Sequence, residues 1–464
     1  MKQKQRREKD NLGEINIPHN KYWGINTQRS LKNFNIGNEH VPLDLVKSIA
    51  IVKMAAAKVN LQQKRLPKKI ALSIAKASQE IINGKHTDQF PLSTWQTGSG
   101  TQTNMNVNEV IANRAIEMLK GVKGSKNPVH PNDHVNLSQS TNDVFPTAMH
   151  IAAVQATKNN LLPALKSLEK VLDAQSKKWN NIIKIGRTHM QDAVPITLGQ
   201  EFSAFKTQIT NSQKRLNDTL RSVYYLPIGG TAVGTGLNTL KNYDTMAVRE
   251  INKITKLSFK ATKNKFESQA THDSLADLSG SLNLLAISIM KIANDIRFLA
   301  SGPRAGIGEL TLPENESGSS IMPGKVNPTQ IEALTMICTQ VMGNNVTISF
   351  AASQGHLQLN AYKPVIAFNI LQSINLLSQG INSFTLRCIK GIKQNFKKIK
   401  ENLNNSLMLV TSLTPKIGYD KAAQIAKYAH QKSISLKKAC LDLKILSVNE
   451  YEKLIKPKKM IKPN

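Results

Sequence analysis

Cysteine is scarce in this sequence of 464 residues and occurs only as Cys338, Cys388 and Cys440. These residues lie about fifty positions apart and include no C-x-x-C pair. Their spacing excludes a disulfide framework and supplies no zinc or iron–sulfur ligand set. Because sparse, unpaired cysteine suits a reducing compartment, we expect the protein to be cytoplasmic.

Aromatic residues make up only 5% of the sequence, and long apolar runs are also missing. A composition dominated by aliphatic side chains favours packed helices over sheets. The most apolar run, residues 282–290, ends at Lys291 and falls short of the roughly 18 residues that a membrane span needs. The basic segment at residues 1–10 precedes no apolar block of the kind found in signal peptides. We therefore expect neither a membrane partner nor a secretory signal.

Acidic residues are half as frequent as basic ones, 31 against 62, which gives a formal net charge of +31. A protein this basic is a candidate for nucleic-acid binding, and that function remains an alternative. The lysines, however, are spread along the whole chain. They lack the arginine clusters and interleaved aromatic residues that read or stack on bases. We therefore expect no nucleic-acid partner.

Apolar residues recur at helical spacing along most of the chain, whereas residues 10–38 are polar, broken by glycine and proline, and predict an irregular arm. The predicted helices span residues 43–61, 68–83, 101–119, 150–179, 198–225, 269–301, 329–353 and 363–400. Several are two to three times the average length, so the fold should be mainly α and built on a bundle of long helices. Their apolar faces are too rich for one chain to bury, which indicates a homo-oligomer.

One stretch, from Gly318 to Pro328, is dense in chemistry and reads Gly-Ser-Ser-Ile-Met-Pro-Gly-Lys-Val-Asn-Pro. Its glycines let main-chain N–H groups turn inward beside Lys325, and convergent N–H groups next to a cation form a cradle for negative charge. The pattern predicts a mobile loop that binds an anionic small molecule. The alternative is an ordinary surface loop.

This stretch resembles the signature loop, G-S-S-x-M-P-x-K-x-N-P, of the fumarase/aspartase superfamily. Members of that superfamily eliminate or add a group at the carbon beside a carboxylate. Within it the chain is most similar to the class II fumarases, because Gly229–Asn238 resembles their G-G-T-A-V-G-T-G loop. His189, in a segment similar to G-R-T-H-x-Q-D-A, points the same way, since aspartases typically carry glutamine there. The resemblance extends over nearly the whole chain.

The resemblance implies a three-domain protomer whose central helices join a tetramer core. The domains would be residues 1–139, an N-terminal mostly helical domain; residues 140–395, the long-helix bundle with the signature loop; and residues 396–464, a small C-terminal helical domain. Each active site would be shared between subunits of a homotetramer.

Two polar segments ahead of helices are candidates for carboxylate binding. Ser99 and Thr101 bring hydroxyls to a positive helix N-terminus; alternatively, Thr101 or Thr103 only caps that helix. Residues 140–143 read S-T-N-D and are similar to a substrate-holding S-S-N-D element. Their alternative role is an N-cap, with Pro146 in the first turn.

His130 and His134 are four positions apart, the spacing of a helical metal pair. Pro131 argues against a helix there and no H-E-x-x-H is present, so we expect no metal. The resemblance instead implies that His130, Pro131, Asn132 and Asp133 form a second, weaker anion site. Just before this segment the family often has an arginine, whereas this chain has Lys126 followed by asparagine. Residues 229–236 match neither a Walker loop nor G-x-G-x-x-G, so we infer no nucleotide and expect no cofactor.

The resemblance also implies catalytic roles. Ser319 would take the proton from carbon with Lys325 beside it, while His189, paired with Glu332, would handle the water. Alternatively, Glu332 belongs to a capping box with Thr329, and a lone histidine is more often structural. The implied substrate-binding residues are Ser99, Gly100, Thr101, Ser140, Thr141, Asn142, Thr188, Ser320, Lys325 and Asn327.

The implied reaction is the reversible, stereospecific hydration of fumarate to L-malate through a carbanion-like intermediate. Such chemistry needs a base on one face, an acid on the other and fixed positive charge around the carboxylates of a small dicarboxylate. The alternative within the superfamily is an aspartate-type ammonia-lyase, which His189 and Gly324 disfavour because aspartases commonly carry glutamine and alanine there. A catalytically silent structural protein is a further alternative.

Overall fold

The computed structural model describes residues 4–463 of the chain, so residues 1–3 of the basic N-terminal segment, and residue 464 of the predicted third domain, lie outside it. Helices dominate, which confirms the prediction of a mainly α fold. The α-helices are α1 Ile25–Asn33, α2 Leu43–Gln62, α3 Lys68–Ile82, α4 Thr101–Met118, α5 Thr141–Ala156, α6 Leu162–Lys178, α7 Leu198–Val223, α8 Tyr243–Thr255, α9 Lys265–Ala270, α10 Asp273–Leu299, α11 Thr329–Ala352, α12 Lys363–Arg387, α13 Phe396–Asn405, α14 Thr414–Ile417, α15 Tyr419–Gln431, α16 Leu436–Asp442 and α17 Val448–Leu454.

Strands are short and pair two by two within the described residues. They are β1 Gln5–Asp10, β2 Gly13–Pro18, β3 Ile183–Thr188, β4 Gln191–Thr197, β5 Tyr225–Leu226, β6 Lys260–Ala261, β7 Leu310–Thr311, β8 Gly355–His356, β9 Leu359–Asn360 and β10 Lys393–Gln394. All pairs are antiparallel except β5 with β6. Turns of 3₁₀ or π type lie at Thr87–Gln89, Pro131–Val135, Thr157–Leu161, Ile389–Gly391, Leu407–Leu413 and Pro457–Lys459.

The prediction of an irregular arm over residues 10–38 is wrong. The hairpin β1–β2 enters this segment and α1 follows it. A buried polar contact explains the order: Glu109 on α4 accepts hydrogen bonds from the main-chain N–H groups of Gly24, Asn26 and Thr27 at 2.8–3.1 Å. This carboxylate satisfies the open N–H groups at the start of α1, which a reading of the local sequence could not anticipate.

Two helix boundaries also differ from the prediction. The long helix predicted from residue 150 begins earlier, because α5 starts at Thr141 and continues through a π turn into α6. The helix predicted over residues 363–400 ends at Arg387. There β10 pairs with β7, and the Asn395 side chain then accepts the Lys398 N–H at 3.2 Å to start α13. Strand pairing and a new cap break what looked like continuous periodicity.

The chain divides into two compact units. The first comprises the chain up to Pro163, Lys214–Ala286 and Thr339–Ser378, and the second comprises Ala164–Gln213, Ile287–Cys338 and the chain from Gln379 onward. In the first unit α2 packs against α3, α5 and α8 through fully buried residues such as Ile49. The second contains β3–β4 and a C-terminal cluster centred on Leu413, Ile425 and Ala439, each 0% exposed. The three-domain division remains a prediction.

One described helix, α10, is long and apolar enough to cross a membrane by length and composition alone. Half of its most apolar window is buried inside the protein. Leu278, Leu282, Leu285 and Ile289 are fully buried at helical spacing. Core helices of this kind pass the same test, so α10 is weak evidence for a membrane span.

The buried residue Lys363 should make stability depend on pH. It is 0% exposed, and its Nζ donates to the Asn360 carbonyl oxygen at 2.6 Å. Burial lowers the pKa of Lys363 to about 7. In the unfolded chain this lysine regains its ordinary pKa, so between about pH 7 and 10 the unfolded state binds more protons, and rising pH favours folding.

We therefore expect Lys363→Met to reduce the rise in the free energy of unfolding over this pH range by up to about 1.4 kcal/mol per pH unit. Urea unfolding at several pH values measures the slope. Lys263→Met, at an exposed lysine, should keep the wild-type slope. Identical slopes in wild type and Lys363→Met would contradict the prediction.

Candidate active site

The loop that carries Ser99 is held so that its hydroxyls stand at the start of α4. Gly100 has φ of 80°, and a Cβ added there would lie 2.3 Å from the Phe145 ring, so only glycine fits. The alternative interpretation, in which Thr101 or Thr103 caps α4, is wrong, because Gly100 is the N-cap residue. The Thr103 N–H and hydroxyl both donate to Gln96 Oε1, at 3.0 and 2.8 Å. Gln96 therefore satisfies the helix end and leaves Thr101 available for another contact.

Ser99 and Thr101 form a pair of hydroxyls, with Oγ and Oγ1 2.7 Å apart. Only one hydrogen is used in this bond, so the pair retains one donor for a ligand. Both residues are partly buried at the N-terminus of an 18-residue helix. The partial positive charge of that end favours an anionic ligand.

The S-T-N-D element begins α5 with a capping box, in agreement with the N-cap interpretation. Ser140 Oγ accepts the Asn142 N–H at 3.2 Å, and Asp143 Oδ1 accepts the Ser140 N–H at 2.9 Å. Pro146, predicted in the first turn, lies further inside the helix, in its second turn.

Asp143 also joins this helix to the glycine-rich loop at residues 229–236. Its Oδ2 accepts the N–H groups of Gly229 and Thr231, at 2.9 and 3.1 Å. Burial raises the pKa of Asp143, and the N–H groups of Ser140, Thr231 and Gly229 oppose that rise. Asn142 Nδ2 adds a bond to the Ala232 carbonyl oxygen at 2.8 Å. The carboxylate thus fixes a loop almost ninety positions away in sequence.

The starts of α4 and α5 meet directly. Asn104 Nδ2 on α4 donates to Thr141 Oγ1 on α5 at 3.0 Å. Because Thr141 accepts this bond, its own hydrogen is free to be donated. In the first unit, the fold therefore groups Ser99, Gly100 and Thr101 with Ser140, Thr141 and Asn142.

The H-P-N-D segment forms a π-helical turn, Pro131–Val135, so the prediction that Pro131 excludes a helix is wrong. Proline occupies the first helical position, where a missing N–H costs nothing. His130 Nδ1 accepts the N–H groups of Asn132 and Asp133, at 3.2 and 3.1 Å, and burial lowers the pKa of His130. The ring is therefore a neutral cap.

A cavity of about 420 Å³ lies beside this turn, and it is lined in part by Glu8, Asp10 and Glu109 together with Lys126 and His130. Three carboxylates beside a neutral ring make a weak environment for a dianion. Within residues 4–463, no cluster of three or more His, Cys, Asp or Glu side chains is arranged to hold a metal ion.

The signature loop lies in the second unit, between β7 and α11, and surrounds a cavity of about 410 Å³. Ser319 Oγ accepts two main-chain N–H groups, from Met322 at 3.0 Å and from Ile321 at 3.3 Å. Two donors converging on one oxygen form a site that stabilises negative charge there. Ser319 is partly buried, whereas Ser320 and Lys325 are exposed.

The ends of this loop are drawn together. Asn327 Nδ2 donates to the Gly318 carbonyl oxygen, and a Cβ on Gly318 would lie 1.9 Å from the Lys325 carbonyl oxygen. Glycine at position 318 is therefore required by close approach of main chain. The capping box predicted for Thr329 and Glu332 is wrong. The Glu332 N–H donates to the Pro328 carbonyl oxygen, and Thr329 Oγ1 donates to Glu316 at 2.7 Å.

His189 lies in the turn of the β3–β4 hairpin, also in the second unit. His189 and Met190 have φ of 55° and 62°, a left-handed pair that is rare outside glycine and asparagine. His189, Thr188 and Glu332 are all exposed. Below the turn, Arg187 contacts the fully buried Glu309 at 2.8 Å. The strained turn is thus anchored by a buried ion pair while its histidine remains accessible.

Comparison with known proteins identifies the family of this chain. Residues 13–343 match the sequence profile of the Lyase family, and residues 409–462 match that of the fumarase C C-terminus. The chain is 59% identical over 457 residues to the class II fumarate hydratase of Rickettsia bellii, covering 98% of this chain and 99% of that protein. The chain belongs to the class II fumarate hydratase family.

Other members of the family are similar over comparable lengths. The mitochondrial fumarate hydratase of Rhizopus oryzae is 56% identical over 461 residues, which cover 99% of this chain and 93% of that protein. The crystal structure of the class II fumarase from Schistosoma mansoni aligns with a TM-score of 0.96 and 44% identity, covering 98% of this chain and 99% of that one.

Sequence reasoning missed several residues that position the groups of the candidate active site. Gln96 and Asn104 looked like ordinary polar residues of a helix start, and no local pattern indicates their partners. Asp143 was predicted only as part of the S-T-N-D segment, with an N-cap as its alternative role. Nothing in the sequence around Asp143 indicates the bonds to Gly229 and Thr231.

The shared carboxylate predicts a stability effect. In Asp143→Asn, an NH₂ group replaces one acceptor oxygen and faces main-chain N–H donors. We expect a loss of roughly 2–3 kcal/mol in the free energy of unfolding, measured by urea unfolding. Asp420→Asn, at an exposed acid in the first turn of α15, is the matched control and should cost below about 0.5 kcal/mol. Equal losses in both variants would contradict this role of Asp143.

Proposed function

We propose that this protein catalyses the reversible, stereospecific hydration of fumarate to L-malate by acid–base chemistry through a carbanion-like intermediate, without a cofactor. The proposal rests on one observation: Ser319 Oγ accepts two main-chain N–H groups, at 3.0 and 3.3 Å. The same loop also contains Lys325. The high identity to proteins named fumarate hydratase supports the same reaction.

Ser319 is the proposed base that removes the proton from carbon. A serine hydroxyl is a poor base until the charge on its oxygen is stabilised, and the N–H groups of Ile321 and Met322 supply part of that stabilisation. The ammonium of Lys325 adds positive charge. Since these interactions are strong only where water is excluded, the exposed loop has to close over the substrate.

His189 and Glu332 are the proposed pair that handles water on the other face. His189 is accessible at the tip of its hairpin, and the left-handed main chain there sets the direction of its Cα–Cβ bond. Glu332 stands in the first turn of α11, where the helix end favours an ionised carboxylate. An ionised Glu332 would orient the imidazole for proton transfer.

The two carboxylates of the substrate would be held by hydroxyl, amide and main-chain groups and by one lysine. The converging helix starts of the first unit support this assignment, because both present free donors at positive ends. The proposed binding residues are Ser99, Gly100, Thr101, Ser140, Thr141, Asn142, Thr188, Ser320, Lys325 and Asn327. His130–Asp133 would bind an anion more weakly, since its ring is neutral and carboxylates line the neighbouring cavity.

We propose that the active form is a cytoplasmic homotetramer in which different subunits contribute these groups to each site. Large apolar side chains on α11 support self-association: Met336, Val346 and Phe350 are 65–69% exposed. An apolar helix face that the chain does not cover suits a second copy. The three cysteines are free and buried, which suits a reducing compartment.

The test is to mix the purified protein with fumarate and follow the loss of its ultraviolet absorbance, with and without ammonia. Loss without ammonia is the expected result. Loss only in the presence of ammonia would replace the hydratase with an amino-acid lyase. No loss under either condition would overturn the proposed function.

The base assignment predicts that Ser319→Ala lowers kcat by at least about 10³-fold while the oligomer persists, because the oxygen that takes the proton is gone. Steady-state fumarate hydration and size-exclusion chromatography measure the two properties. Ser317→Ala, two residues earlier on the same exposed segment, is the control and should retain near-native kcat. A near-native rate in Ser319→Ala would remove this serine from the mechanism.

His189→Asn should lower kcat by roughly 10²–10⁴-fold, the usual scale for one acid–base group. It should also remove one limb of the pH–rate profile, which separates proton transfer from a structural role. Met190→Leu, at the neighbouring turn residue, should leave the profile unchanged. If His189→Asn keeps the wild-type profile, the histidine is only structural.

A further inference from the structure

Lys53 is a buried lysine of the first unit, and its hydrogen-bond partners are uncharged side-chain amides. It lies on α2, is 0% exposed, and donates through Nζ to Asn136 Oδ1 at 2.7 Å and Gln139 Oε1 at 3.1 Å. Burial lowers the pKa of Lys53 to about 7, and the charge of Asp143 opposes that shift only in part. Keeping an ammonium here is costly, so its contacts call for an explanation beyond packing.

The bond from Lys53 to Asn136 belongs to a set of hydrogen bonds that reaches Thr141, one of the proposed substrate-binding residues. Asn136 Oδ1 receives Lys53 together with two side-chain amides of α4, those of Asn104 and Asn108, each at 3.3 Å. An amide nitrogen has two hydrogens. Asn104 gives one to Asn136 and the other to Thr141 Oγ1 at 3.0 Å. A continuous line of bonds therefore runs from Lys53 through Asn136 and Asn104 to Thr141.

This line sets the direction of the Thr141 hydroxyl. Since Asn104 is anchored at Asn136, its second hydrogen is aimed at the Thr141 oxygen, which must act as the acceptor. The Thr141 hydrogen is then left to donate elsewhere. Lys53 donates to the same oxygen as Asn104, so it acts by fixing the orientation of the Asn136 amide, with Oδ1 towards α4.

We propose that Lys53 is a positioning residue for substrate, which acts through Asn136 and Asn104 to hold the Thr141 hydroxyl as a donor to a carboxylate of the bound dicarboxylate. This inference rests on the proposed function, in which Thr141 contacts substrate. Lys53 itself touches neither the substrate nor any reacting atom.

A double-mutant cycle tests the connection. The variants are Lys53→Met, Thr141→Val and the double variant, and the readouts are kcat/KM for fumarate and the dissociation constant of succinate, an unreactive dicarboxylate, from calorimetry. We expect each single variant to lower kcat/KM and succinate affinity roughly tenfold to a hundredfold. The double variant should be no worse than Thr141→Val alone, because Lys53 acts through that hydroxyl.

The control cycle pairs Lys53→Met with Thr101→Val. Thr101 Oγ1 bonds to Ser99, outside the line from Lys53, so the two effects should multiply. A merely structural lysine would lower the melting temperature and give multiplying effects in both cycles, which would overturn the proposal. If Lys53→Met does not fold, Asn104→Ala takes its place. The double variant of Asn104→Ala with Thr141→Val should then lose no more kcat/KM or succinate affinity than Thr141→Val alone.

The two readouts separate this inference from the proposed reaction. Succinate binding without fumarate turnover would reject the reaction, while the succinate cycle would still decide the role of Lys53. A failure to bind succinate at millimolar concentration would overturn both.

Discussion

A single buried carboxylate, that of Asp143, organises the part of the first unit where α5 begins beside the glycine-rich loop. It closes the first turn of α5 and accepts two N–H groups from the loop at residues 229–236. Both jobs need acceptor oxygens on the two sides of one buried side chain, and the two oxygens of Asp143 accept three N–H groups. Because the same side chain performs both, the helix start and the glycine-rich loop cannot move independently. The hydroxyls of Ser140 and Thr141 are held in place as well, because both residues lie at this helix start.

Neutral donors make up most of the groups proposed to bind the substrate. Ser99, Thr101 and Thr141 present hydroxyls at the positive ends of two helices, and the signature loop turns main-chain N–H groups onto Ser319. Lys325 is the one cation among the proposed binding groups. Fixed dipoles suit this chemistry, since they stabilise developing charge without having to reorganise during the reaction. Close main-chain approaches at Gly318 and the left-handed turn at His189 are the structural costs of that arrangement.

The positive charge of the protein is not only a surface property. Lys53, Lys184 and Lys363 are at most 1% exposed. Lys184 is neutralised by contacts with Glu201 and Glu309, whereas Lys53 and Lys363 bond to amide and carbonyl oxygens. Composition alone gives the number of lysines and cannot distinguish these internal ones from those that face solvent. These three are among 62 basic residues, so most of the +31 charge still lies at or near the surface.

The sequence by itself determined the fold class, the long helices and the signature loop. These follow from local properties: apolar residues at helical spacing, and a dense set of glycine, hydroxyl and amide residues around Ser319 and Lys325. It also indicated the N-cap at Ser140. Only the tertiary structure decided that Gln96 rather than Thr101 satisfies the start of α4, that α12 stops at Arg387, and that residues 5–18 form a hairpin. The end of α12 depends on the pairing of β10 with β7, and the order of α1 depends on Glu109, both distant in the chain. The bonds from Thr103 to Gln96 and the pairing of the hairpin are closer in sequence, but hydrogen bonds of specific polar groups leave no apolar periodicity from which they could be predicted.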